Sequence, residues 1–315
     1  MERATHRLSA VRRNLHGTYH RDNKPVLCVE SGDRICAQTL EVGWRTERVV
    51  AGKVLEKIED LDSVLDNGPA LTGPIYVNKA NPGSTLEVQF LAFKPANWGW
   101  TSGGGAQQHI SGLVGVEQEK TSIFWDIDSA SGRVTNQWGH SVALSPFLGC
   151  VGVASSDKER MPGWWPHPRC GGNLDAKVLT AGSSLYLPVE VEGALVSVGD
   201  AHAAQGDGEI SGRAIECPME EVHFRLVHHP NLKIRTPRAK RNEQWITFGV
   251  AESLDEAASR AINEMLTLIV EGTQLTRSQA LALSSVYVDL RVTQMVNPLK
   301  GIHAVLKVPL ATLKA

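Results

Sequence analysis

The chain has 315 residues, 42% of them apolar and 21% charged, with a formal net charge of −2. That length supports one large core or two to three smaller ones, since cores stop growing near ~250–300 residues, and the near-neutral balance argues against nucleic acid or an anionic membrane as the main partner. The opening MERATHRLSAVRRN lacks the apolar core of a signal peptide, no run reaches the ~20 apolar residues of a bilayer span, and five scattered cysteines without CxxC spacing point to a reduced, cytoplasmic protein.

Up to about residue 230 the chain reads as short strands between turns. PVLCVE (25–30), IYVN (75–78), TLEVQFLAF (85–93), SVAL (141–144), GCVGVA (149–154), SLYLPVEV (184–191), ALVSVG (194–199) and EVHFRLV (221–227) are apolar or alternating runs, bounded by Gly, Pro, Asn, Asp and Ser. Helical spacing occurs there only over 50–65, VAGKVLEKIEDLDSVL, which predicts one surface helix. Three segments, VESGDRICAQTL (29–40), KANPGSTLEVQFL (79–91) and LTAGSSLYLPVEV (179–191), place a Gly and a polar residue ahead of a strand. Glycine there supplies positive φ and the polar group bonds the turn, which suggests a repeated β-unit. Cys28, Cys36, Cys150 and Cys217 lie in or beside apolar runs and read as small hydrophobes. The basic stretch KIRTPRAKR (233–241) reads as a solvated connector.

Beyond about residue 240 the pattern changes. ITFGVA (246–251) is a strand, and SLDEAASRAINEMLTLIVEG (253–272) an amphipathic helix with Ser253 and Glu256 as a capping box and Gly272 as the stop. Thr276 and Gln279 repeat the cap signal before a second helix, and GIHAVLKVPL (301–310) closes as a strand. The expected fold is mainly β, with barrel- or sandwich-like modules over 1–235 and an α+β segment over 236–315.

The chemistry concentrates in GDAHAAQGDGE (199–209), where Asp200 and His202, and then Asp207 and Glu209, stand two apart. On a strand such pairs share a face. Carboxylates packed that closely repel, and a divalent metal would relieve the conflict: His with carboxylates suits Zn²⁺, Mn²⁺ or Fe²⁺, and an all-oxygen share suits Ca²⁺ or Mg²⁺. The competing reading is a solvated acidic hairpin with His202 at the surface. In CGGNLD (170–175) Asn173 and Asp175 are again two apart, an oxygen ligand and a substrate-orienting amide, or a tight turn. The tryptophans of NWGWT (97–101) and PGWWPHP (162–168) either wall a small pocket from loops or simply pack. His16, His109 and His140 each read as a ligand, a base or an ordinary polar residue. There is no P-loop, no GxGxxG after a strand, no GxSxG elbow and no HExxH.

Taken in order, PVLCVESGD (25–33), LTGPIYVNKANPGSTLEV (71–88), NWGWT (97–101), PFLGCVGVA (146–154), GGNLDAKVL (171–179), LYLPVEVEGALVSVGDAHAAQGDGEISGRAIE (185–216), ITFGVAESLDEAASRAI (246–262) and SSVYVDLRVTQMVNP (284–298) resemble the acetamidase/formamidase family over nearly the whole chain. The resemblance implies hydrolysis of a short aliphatic amide to carboxylate and ammonia, homo-oligomers, and a divalent metal near the site, Zn²⁺ first with Ca²⁺, Mg²⁺ or Mn²⁺ as alternatives. It places Asp200, His202, Asp207 and Glu209 on the family's G-D-x-H-A-x-x-G-D-G-E motif, Asn173 and Asp175 on G-G-N-x-D, and His16 on a short His-Gly motif. The expected assignment is Asp200, His202 and Asp175 as metal ligands, Glu209, Asp207 and His16 as catalytic groups, and Asn173, Trp98 and Trp100 as substrate contacts. The sequence departs where a Gly is expected near Lys79 and an Asp at Ser84, and in SGGGAQQHISGLVGVEQ (102–118). Two rival readings are a metal-independent amidase, with Cys170 or a Lys/carboxylate pair as nucleophile, and a non-catalytic protein that captures a small amide or a metal.

Overall fold

The computed structural model describes residues 4–313 apart from 52, 54, 107 and 108. Three sheets build it. The largest has nine strands in the order Thr5–Leu8, Arg34–Thr39, Met219–His229, Thr85–Pro95, Ser183–Pro188, Arg238–Arg241, Gln244–Ala251, Lys300–Leu306 and Val288–Gln294. A seven-stranded sheet centres on Phe147–Gly152, Val196–His202 and Leu71–Val77. A four-stranded sheet carries Trp98–Gly104, Lys120–Asp128, Arg133–Asn136 and Ser141–Ala143.

The main core lies between the first two sheets, where Ile35, Phe90, Leu185 and Phe224 meet Ile75, Leu148, Val151 and Val198. The fold is thus mainly β and sandwich-like, with the C-terminal helices on one flank. Helix Leu254–Gly272 buries Ala257, Ala261, Met265, Leu268 and Ile269 in a second core with Ile302, Ala304 and Leu306. The nine-stranded sheet runs through the expected boundary at 235/236, because Arg238–Arg241 pairs with Ser183–Pro188. Among the described residues no helix is long and apolar enough to cross a membrane.

The three turn signatures form three like turns. Gly32, Gly83 and Gly182 have φ of +94°, +83° and +84°. The next residue, Asp33, Ser84 or Ser183, bonds back three positions to Glu30, Asn81 or Thr180. Each turn feeds a strand of the nine-stranded sheet, and positive φ is where glycine has no steric penalty. Lys79, where a glycine was expected nearby, also sits at φ +65°.

Several expectations are corrected. The described residues of 50–65 form no helix, and Val50, Leu61, Val64 and Leu65 stay exposed. A helical apolar stripe without a surface to bury against has no tertiary support, and Asp62 instead bonds the amides of Val64 and Leu65 into a turn. The solvated connector ends early: Arg238–Arg241 is a strand, and Arg238 is buried beside Glu271 and Glu264. NWGWT is not a loop, since Trp98–Gly104 pairs antiparallel with Lys120–Asp128. Ser253 accepts from the Glu256 amide, but the Glu256 carboxylate pairs with Arg260, leaving half a capping box; Thr276 and Gln279 form a complete one. Cys28 is exposed, while Cys36, Cys150 and Cys217 are buried as expected.

Candidate active site

Strand Val196–His202 lies between Phe147–Gly152 and Leu71–Val77, buried along its whole length. At its end Asp200 adopts φ +53°, which breaks the alternation of the strand. Asp175, on the turn after Gly171–Asn173, and Glu209, on the turn after Gly208, have φ of +49° and +47°. Non-glycine residues in this region are uncommon and strained, and such strain gathers at functional sites. Three carboxylates are held this way around one point.

That point faces His202. The Gln205 amide donates to the Asp175 carbonyl at 2.8 Å, so its Oε1 must accept from His202 Nδ1 at 2.9 Å. The imidazole therefore turns Nε2 towards the carboxylates, 3.4 Å from Asp200 Oδ1 and 3.2 Å from Glu216 Oε2. Neither approach has hydrogen-bond geometry. His202 Nε2, Asp200 Oδ1, Glu216 Oε2 and Asp175 Oδ1 are all buried without a hydrogen-bond partner. Donor atoms of Asp175, Asp200 and His202, and of His202, Glu209 and Glu216, lie within 4.8 Å of one another. Phe147 stands edge-on to the imidazole at 5.1 Å, and Gly149 leaves the space behind it: a Cβ there would lie 2.5 Å from Asp175 Oδ1 and 2.9 Å from His202 Cε1.

The electrostatics follow from burial and crowding. Burial, then Glu209 and Asp200, pushes Asp175 well above the usual carboxylate range. Glu209 is pushed up to about 7, again mainly by burial, with His202 opposing. For His202, burial alone would disfavour charge, but Glu216 and Asp200 outweigh it, so the cluster holds positive charge at Nε2. A proton or a metal ion can supply that charge. Buried acceptors that converge without donors are the chemistry of a cation site, and this donor set fits a divalent metal.

The carboxylates line a cavity of about 70 Å³, closed by Val42, Trp164, Asn173, Gly212, Arg213, Val296 and Asn297. The last two come from the C-terminal segment. The Gly208 amide donates to the Thr293 carbonyl at 3.3 Å and the Met295 amide to the Gly208 carbonyl at 3.1 Å. Gln294, fully buried, accepts from the amides of Val296 and Asn297 and so shapes that turn.

Of the expected residues, Asp175, Asp200, His202 and Glu209 come together at the cavity, and Asn173 lines it. Both ends of the Asn173 amide are engaged, donating to the Trp164 carbonyl at 2.8 Å and accepting from Cys150 Sγ at 3.1 Å. Asp207 lies outside, drawn to Lys177 at 3.1 Å and Arg291 at 3.9 Å. His16 is buried elsewhere on Ser197 Oγ at 2.8 Å, and burial holds its imidazole down at about 4. Trp98 packs in the four-stranded sheet, and Trp100 donates to Glu41 in a neighbouring cleft. Trp164 of the second tryptophan loop is the one that walls the cavity. His140 stays in its own hairpin with Asn136, and the side chain of His109 lies outside the described residues.

Glu216, Gln205, Cys150 and Asn297 were not singled out from the sequence. Glu216 meets His202 through a bridge between separate segments, so no local spacing reveals it; the one signal is a carboxylate inside the apolar run AIECP. Cys170 is buried away from the cavity, and burial pushes its thiol far up. Cys150 does reach Asp200, at 3.7 Å, but burial and that carboxylate keep its thiol protonated as well.

A model of the Acetamidase/Formamidase family matches residues 3–167 and 164–314. An acetamidase of Mycolicibacterium smegmatis is 58% identical over 259 residues, 62% of this chain and 61% of that protein. The chain matches about six tenths of the length of each curated relative. Among solved structures, a recombinant predicted acetamidase/formamidase from Thermoanaerobacter tengcongensis superposes with a TM-score of 0.84 at 28% identity, covering 97% of this chain and 96% of that one. An acetamidase from Bacillus halodurans gives 0.80 at 30% identity, covering 95% and 96%.

Proposed function

The chain belongs to the acetamidase/formamidase family, and on that premise we propose that it is an amidohydrolase cleaving a short aliphatic amide to carboxylate and ammonia. The observation that carries this reading is the set of four buried, partnerless donor atoms on Asp175, Asp200, His202 and Glu216, the three acids of which line one small cavity. Asp175, Asp200, His202 and Glu216 would hold a divalent ion, Zn²⁺ by the mixture of imidazole and carboxylates, with Mn²⁺, Mg²⁺ and Ca²⁺ as alternatives. Such an ion, when bound, brings the pKa of a water towards ~7 and polarises an amide carbonyl.

The chain's own groups supply the rest. Glu209, whose carboxyl burial pushes up to about 7, is the group of the chain suited to move the proton. It takes a proton from water and returns it to the amide nitrogen, which leaves only when protonated. Gln205 holds the His202 tautomer, and Trp164 and Val42 exclude bulk water. The cavity, about 70 Å³, is small, which suits a short amide. No lysine lines the cavity, and burial keeps the Cys150 and Cys170 thiols protonated, which weighs against the Cys or Lys nucleophile of the metal-independent rival. The reading extends to a homo-oligomer in the cytoplasm, testable by light scattering and fractionation.

The test is ammonia release from formamide, acetamide, propionamide and urea, with protein as purified, after chelation, and after adding Zn²⁺, Mn²⁺ or Ca²⁺. Turnover lost on chelation and restored by one ion supports the reading. Turnover that survives verified metal removal overturns the metal, and tight amide binding without ammonia overturns the enzyme in favour of a capture protein.

A further inference from the structure

The cavity shares Val42, Trp164 and Arg213 with a cleft of about 1120 Å³, so one wall serves both spaces. Their charges are opposite. The cavity presents four carboxylates, whereas the cleft is lined by Arg45, Lys53, Lys57, Lys120 and Arg213 against a single carboxylate, Asp66. Asp66 is already taken by Arg12 at 2.6 Å, Arg45 by the buried Glu41 at 3.3 Å, and Lys53 by Glu47 at 2.6 Å. Among the described residues, Lys57, Lys120 and Arg213 have no carboxylate within 4.0 Å. Arg213 lines the cavity with four carboxylates without pairing with any; its Nη1 donates to the Gly212 carbonyl, and among the described residues nothing accepts from the remaining guanidinium N–H groups. A guanidinium kept off adjacent carboxylates at a shared doorway is available to a ligand.

We propose that the substrate is a short amide bearing a carboxylate at the far end of its acyl group, the monoamide of a dicarboxylic acid. This rests on the amidase reading above. The amide head occupies the carboxylate-lined cavity, while the distal carboxylate lies in the cleft on the Arg213 fork. Guanidinium pairs with carboxylate through two parallel hydrogen bonds, which fixes orientation as well as affinity. Lys57 and Lys120 add a positive field that draws an anion in and offsets its repulsion by the inner carboxylates. In the reaction the C–N bond breaks and a C–O bond to water oxygen forms. The nitrogen leaves with one of the water's protons as ammonia, and the second proton, released from the new carboxyl group, converts ammonia to ammonium, leaving the dicarboxylate.

The experiment compares kcat/KM of the metal-loaded protein for malonic and succinic acid monoamides with acetamide and propionamide, at low and high salt. The expected result is a preference of about tenfold or more for a carboxylated amide, shrinking at high salt. Arg213→Gln should lower the ratio of carboxylated to neutral kcat/KM by a similar factor, and Arg213→Lys should restore part of it. Lys57→Gln and Lys120→Gln should each raise KM for the carboxylated amide a few-fold and flatten its salt dependence. Equal turnover of the two classes, or an equal loss for both in Arg213→Gln, overturns the proposal. Calorimetric binding of succinate against acetate gives a second readout that needs no turnover. If no amide is cleaved, the amidase reading fails, while succinate binding lost in Arg213→Gln still supports the anion site. Succinate binding no tighter than acetate overturns it.

Discussion

The C-terminal layer and the carboxylate-lined cavity are built in opposite ways. In the layer, helix Leu254–Gly272 starts on the Ser253 cap and lays its small and apolar face on Lys300–Leu306. Local propensity, capping and packing agree there. In the cavity, three carboxylates sit at positive φ, four polar atoms lack partners and acidic groups crowd one imidazole. Violations that no local term rewards are expected where function demands them. The layer stabilises the fold, and the fold then tolerates the cavity.

Substitutions can break this contrast. Glu209→Gln should lower ammonia release by ~10²–10⁴-fold while the melting temperature stays level or rises, because a buried acid crowded by Glu216 and Asp200 is neutralised. A parallel loss of stability would show that the cavity is a structural element after all. Gly149→Ala places a Cβ 2.5 Å from Asp175 Oδ1. It should cost about 10²-fold in activity by displacing the Asp175 carboxylate, with ~1–3 kcal/mol of overpacking read by urea unfolding.

Met265, almost wholly buried in the second core, predicts the reverse. Met265→Ala should remove ~2–4 kcal/mol of stability yet keep kcat near its original value at temperatures where the protein is folded. Loss of turnover without unfolding would join the two regions. The smallest effect sharpens the layer itself. Burial holds His303 down at about 4, against the ordinary 6.5. The unfolded chain therefore takes up a proton below pH 6.5 that the folded one refuses until about pH 4. The His303 contribution to stability should be level above 6.5 and fall by ~2 kcal/mol by pH 5, beside a similar one from buried His16. His303→Gln should flatten that slope in urea titrations at the two pH values.

The sequence by itself determined the period-two strands, the Thr276 capping box, the three glycine turns and the local pairs Asp200/His202 and Asn173/Asp175, because each depends on neighbours a few residues away; grouping Asp175 with Asp200, His202 and Glu209 came from the family resemblance. Tertiary structure decided the rest. Glu216 and Cys150 reach His202 and Asp200 from separate segments, and Asn297 arrives from the far end of the chain; no spacing encodes such a meeting. Asp207 shares a motif with Glu209, yet Lys177 and Arg291 draw it outward. Residues 50–65 carry a helical pattern, but a stripe with nothing to cover leaves the backbone to the Asp62 turn. Local bonding can be read along the chain, whereas convergence of charge depends on which distant segments the sheets bring side by side.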